Sequence, residues 1–170
     1  MNKARVICRA LDQLSEWCGR IFSWLIVPLT GLTLFEVVTR RFLGHPTIWT
    51  FEIAKFLYAA HFMLVISYAL LYKSHVSVDI LFVRLSPKAQ AIISLITYVL
   101  FLFLFSAIII WKGTIFAATS WEIKETSWSV FHPPLYPIKT VIPITGFLLA
   151  LGGLSDFIKN VMFLAGRGKI

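Results

Sequence analysis

From Ala89 to Trp111 the chain runs for twenty-three residues without a charge. As an α-helix, at about 1.5 Å per residue, that block reaches roughly 34 Å, enough to cross a bilayer core of about 30 Å. Inside hydrocarbon the backbone must satisfy its own N–H and C=O groups, and a helix does so within one segment. Three more apolar blocks, about 21–43, 50–72 and 137–162, have the same character. The expectation is an all-α membrane protein, four transmembrane helices in a single membrane domain over 1–170. Residues 5–20 predict an N-terminal amphipathic helix, with Ile7, Leu11, Leu14, Cys18 and Ile21 on one side and Arg5, Arg9, Asp12, Gln13, Glu16 and Arg20 on the other; it either lies in the headgroup region or leads directly into the first span. Between spans two and three, the helical spacing of Val78, Leu81, Phe82 and Leu85 predicts a short interfacial helix. Ser86-Pro87 then supplies the cap and first-turn residue for span three. Residues 112–137 read as the longest polar connection, lying outside the spans.

Composition narrows the function. At 58% hydrophobic and 15% aromatic residues, the chain carries more apolar surface than a water-soluble fold of this size could hide. The net charge of +8 sits at the edges of the apolar blocks, a pattern of topology and anionic headgroups, and no basic and aromatic groove for nucleic acid is present. With both termini in the cytoplasm, ten basic residues fall on that side and five on the other (Arg40, Arg41, Lys112, Lys124 and Lys139), while Lys55 lies within a span. This predicts N-in, C-in. The run Ile21–Phe35 is followed by Glu36, Arg40 and Arg41 and not by a small-residue cleavage site, so it reads as an uncleaved first span. Cys8 and Cys18 form no CxxC pair and read as inert thiols.

The search for catalysis returns nothing: GxSxG, HExxH, Walker and CxxCH patterns are all absent, and neither an enzyme nor a cofactor is expected. A membrane haem needs two histidines facing each other at matched depth. His61 has no such mate, because His75 lies about 21 Å along the same helix and His45 and His132 fall in loops. His61 therefore reads as a packing residue. The charges near the membrane are few. Glu36 and Arg40 are i, i+4 neighbours near the outer end of span one, and Glu52 and Lys55 are i, i+3 neighbours near the outer end of span two. They could form one inter-helix ion cluster or line a solute path. Trp49, Trp111, Trp121, Trp128 and Tyr136 fall near the expected interfaces, as an anchoring belt of membrane lipids requires.

Four segments, in order, carry a resemblance: Phe35-Glu36-Val37-Val38-Thr39-Arg40; Pro46-Thr47-Ile48-Trp49 with Glu52-Ile53-Ala54-Lys55; His75-Val76-Ser77-Val78-Asp79-Ile80-Leu81 with Arg84-Leu85-Ser86-Pro87; and Pro134-Leu135-Tyr136-Pro137-Ile138-Lys139 with Ile142-Pro143. Together, over about 30–160, they resemble the small membrane subunit of tripartite ATP-independent periplasmic (TRAP) transporters, the DctQ-like family. The chain departs from that pattern at Arg41, where tyrosine is common, at Phe51-Glu52, where two acids are common, and at Lys55, where arginine is common. The resemblance implies two protein partners, a large membrane subunit that carries the solute and a periplasmic solute-binding protein that delivers it, commonly a small carboxylate. On this expectation Glu36, Arg40, Glu52 and Lys55 hold spans one and two in register at the outer side, beside Trp49, and His75 and Asp79 do the same at the cytoplasmic side. Two rivals stand beside it. One is a self-sufficient four-span exporter using Glu36 as its membrane carboxylate, although Arg40 lies one turn away. The other is a membrane assembly protein without a transport role.

Overall fold

The computed structural model describes residues 2–72 and 85–166. Helix α1 (Asn2–Ser23) leads into α2 (Ile26–Phe42), and α3 (Thr50–Leu71) follows a short loop. Next come α4 (Pro87–Thr97), a π-helical segment (Tyr98–Phe103) and α5 (Leu104–Glu122), and last α6 (Tyr136–Leu164). Among the described residues there is no strand, only an isolated bridge between Thr126 and Pro134. Four helices are long and apolar enough to cross a membrane: Ala4–Phe42, Thr50–Leu71, Pro87–Glu122 and Tyr136–Leu164. Two of these correct the expected boundaries.

The first is span one. It is continuous with α1 in a 39-residue helical unit that begins at Ala4, so residues 5–20 lead directly into it. The seam at Trp24-Leu25 has a local cause. Pro28 has no N–H to return to the Trp24 carbonyl, and Val27 N–H takes that oxygen instead at 3.1 Å. The turn tightens to i→i+3 bonds there, and the helix resumes. Helix α1 also turns inward a different face from the apolar one. Cys8, Ser15 and Gly19 are buried against α3 and α6, while Ile7, Leu14 and Ile21 stand exposed. Small residues let backbones approach, and that matters more than hydrophobicity where the surroundings are themselves apolar. At Gly19 a methyl group would overlap the ring of Tyr68.

The second correction is span three. It does not stop at Trp111 but continues to Glu122 as a 36-residue helix. Lys112 is followed by Gly113 through Thr119, which are uncharged and mostly apolar, so one lysine does not end the helix. The polar connection shrinks accordingly to 123–135. Ser86 caps this helix as expected, its hydroxyl accepting the Ala89 N–H at 3.4 Å with Pro87 in the first turn. The interfacial helix expected between spans two and three lies outside the described residues.

Helix α6 is the hub. It packs along α5, α3, α1 and α4, and its buried face carries Thr145, Gly146, Leu148, Leu149, Gly152, Gly153, Ser155 and Asp156. A methyl at Gly146 would stand 2.8 Å from Ile110, so the α5–α6 spacing is set by the glycine. Helix α2 by contrast touches only α3 appreciably and leaves most of its surface open.

Candidate functional site

Polar side chains gather at both ends of the bundle. The loop end holds the α2–α3 loop and the α5–α6 connection; the terminal end holds the start of α1 and the end of α6.

At the loop end the Glu36 carboxylate is fully occupied. One oxygen accepts from Arg40 at 3.1 and 2.7 Å; the other accepts from the Thr47 backbone N–H at 3.3 Å and from the Thr47 hydroxyl. Thr47 is in turn bonded to Thr50, the first residue of α3. Gly44, at φ +69°, reverses the chain after α2 so that His45 N–H returns to the Thr39 carbonyl, which brings Thr47 back beneath Glu36. Trp49 stacks near Phe35, ring centroids 6.1 Å apart. Glu52 is buried and takes Lys55 at 2.9 Å. Each of these ion pairs therefore stays within its own helix. What joins α2 to α3 is Glu36 hydrogen-bonded to Thr47, a residue that charge pairing alone would not select. Thr33, Glu36, Val37, Arg40, Thr50, Phe51 and Ala54 line an open groove of about 260 Å³ between the two helices.

The α5–α6 connection is braced rather than loose. Leu135 N–H returns to Glu125 and Ser127 N–H to Pro133, at 2.8 and 2.9 Å. Glu125 is paired with Lys139, and this bond holds its carboxyl below the usual carboxylate range. Trp121 packs against Tyr136, ring centroids 4.3 Å apart and tilted by 51°, and donates its indole N–H to Thr140 at 2.9 Å. Trp128 at the tip is 99% exposed.

The terminal end holds a constellation that the sequence reading missed. Asp12 accepts from the Ser155 hydroxyl at 2.6 Å and from Lys159 at 2.9 Å. Lys159 also reaches Asp156 at 3.2 Å, and the Tyr98 hydroxyl donates to the other Asp156 oxygen at 3.1 Å. One layer inward, Ser67 donates to Ser15 at 2.7 Å, and Ser67 is completely buried. Helices α1, α3 and α6 and the π-helical segment thus meet in one polar clasp. The available signal was Ser155-Asp156-x-x-Lys159 at the end of an apolar run, an acid and a base that share one helix face. His75 and Asp79, expected to organise this end, lie outside the described residues.

Between the ends, His61 donates its Nδ1 hydrogen to the Phe22 carbonyl at 3.0 Å, beside the seam that Pro28 creates. Thr30 and Thr33 bond back to carbonyls of their own helix at 2.8 Å. The described carboxylates all belong to the two ends: Glu36, Glu52, Glu122 and Glu125 at one, Asp12, Glu16 and Asp156 at the other.

No curated protein and no solved structure matches the chain. One family model, Tripartite ATP-independent periplasmic transporters, DctQ component, matches residues 29–162.

Proposed function

The chain belongs to the DctQ component family of tripartite ATP-independent periplasmic transporters, and we propose that this small membrane subunit braces the large subunit that carries the solute. The family is a transporter component and not an enzyme family, and it places the chain as a multi-pass protein of the bacterial inner membrane. In the proposed arrangement the terminal end faces the cytoplasm and the loop end faces the periplasm. A periplasmic binding protein delivers the solute, a small organic acid, and the large subunit imports it.

The observation that carries the bracing role is the placement of the acids. A solute path needs groups at mid-membrane depth that can receive and release cargo. Here the described carboxylates are gathered at the ends, and Glu36, Glu52, Asp12 and Asp156 are bound to partners of their own chain. Such an arrangement fixes helix register and leaves wide apolar walls for a neighbour. A carrier that slides part of its structure against a fixed part gains from a rigid flank of this kind.

Co-expression with the large subunit tests the reading. The wild-type chain should co-purify with it. Glu52→Lys, which sets a second ammonium beside Lys55 at a buried position, should cut the yield of the complex by about tenfold or more. Solute uptake by vesicles that contain this chain alone would overturn the proposal. Normal assembly of Glu52→Lys with loss of uptake would move Glu52 from scaffold to solute path.

A further inference from the structure

Among the described residues Lys112 has no acidic partner, and it lies well inside a helix long and apolar enough to cross a membrane. Its depth follows from the packing. Gly152 of α6 lies against Ser67 of α3. Thr50 stands as many residues before Ser67 as Leu135 stands before Gly152, so these two parallel helices begin at one level. At roughly 33 Å, α3 is just long enough to span the core, and its first turn marks the edge. Gly113 lies against Ile142 and Pro143. Its neighbour Lys112 is therefore level with Tyr58, about 12 Å inside that edge.

A lysine near a helix end normally reaches back to the headgroups. For Lys112 the geometry opposes this. Helix α5 runs from the terminal end toward the loop end, and side chains lean toward the N-terminus of their helix. The Lys112 stem thus starts away from the nearer headgroups. Its ammonium rests over the ring of Trp111, 4.9 Å from the centroid. The other described lysines in these helices beyond the first turn are matched: Lys55 by Glu52, and Lys159 by Asp12 and Asp156. Lys139, in the first turn of α6, has Glu125. The wall around Lys112 is apolar and open, with Phe105, Ile108, Trp111 and Ile115 each about half exposed or more. A positive charge in the middle of an apolar wall calls for an anionic partner on whatever covers that wall.

We propose that this wall of α5 is the face that meets the large membrane subunit, with Lys112 docked on a carboxylate carried by one of that subunit's transmembrane helices. The inference rests on the bracing role proposed above and names its contact. Charge complementarity selects this wall over the equally open α2, where Glu36 is paired with Arg40 and the remaining cation, Arg41, stands in the last turn of the helix, at the membrane edge.

The test is co-purification of the full-length chain with the large subunit, in three forms. Lys112→Met should lower recovery of the complex by roughly thirtyfold or more, as removal of one member of a desolvated ion pair does. Lys112→Arg should restore it. Membrane-fraction levels of the chain check insertion, and Lys112→Gln serves as a second charge-removing variant should the methionine form insert poorly. If both neutral variants assemble like wild type, Lys112 is satisfied by lipid phosphate or by tilt, and the inference is wrong while the bracing role stands. If wild type itself fails to co-purify, the bracing role falls first.

Discussion

At the loop end Glu36 and Arg40 lie one turn apart on α2, and Glu52 and Lys55 lie one turn apart on α3. At the terminal end Lys159 reaches Asp12 across nearly the whole chain, and Tyr98 reaches Asp156 from another helix. Both ends are polar, yet they do different work. The two pairs on α2 and α3 neutralise charge within a helix, and one hydrogen-bonded carboxylate carries the link between α2 and α3. The terminal clasp closes the bundle, since it ties the first helix to the last, and Tyr98 joins the third span to that last helix. The difference shows that a charge pair is evidence of tertiary structure only when its members come from different elements.

The largest expected effect is at the clasp. Lys159→Met leaves Asp156, which is 5% exposed, and Asp12 without their common cation. Loss of about 2–3 kcal/mol is expected, less than for a fully buried pair because Lys159 is part-exposed. Denaturant titration in detergent reads it, and a loss as small as that of an exposed surface pair would reduce the two ends to equivalents. The next effect is at the loop end. Thr47→Val removes the hydroxyl that joins Glu36 to Thr50 and should cost about 1–2 kcal/mol by the same titration. A larger loss than at Lys159 would invert the comparison.

The smallest effect concerns the α5–α6 connection. Glu125 has its folded pKa depressed, chiefly by the Lys139 bond, so the stability it lends is present above the unfolded carboxylate value and is lost as pH falls through the folded one. The connection should therefore hold at neutral pH and loosen only below the ordinary glutamate range. Trp121 fluorescence, reporting on the contact with Tyr136, should follow that transition in wild type and lose it in Glu125→Gln.

Much of the fold was legible in the residue order. Four apolar blocks gave four helices long and apolar enough to cross a membrane, and Ser86-Pro87 gave the start of the third. The acids and bases of α2 and α3 were legible because each pair is local in sequence, whereas Glu125 and Lys139, from different elements, were not. Lys112 was misread because a lone lysine looks like the end of a span, whereas the uncharged run after it keeps helical bonds intact. The buried face of α1 was not legible, because the helix reserves Cys8, Ser15 and Gly19 for its neighbours and turns several larger apolar side chains outward.

By itself the residue order determined that this is a membrane protein, that it has four segments apolar enough to cross, and to which family it belongs. Those properties follow from hydropathy, helix rise and short ordered motifs, all of which are read along one dimension. Only tertiary structure decided that Asp12, Tyr98, Ser155, Asp156 and Lys159 form one clasp and that Lys112 is left facing outward. Within a packed bundle a charge is satisfied by its neighbours more than by water. Which charges are satisfied then depends on which helices lie side by side, and pairing across more than a hundred residues leaves no periodic mark on the chain.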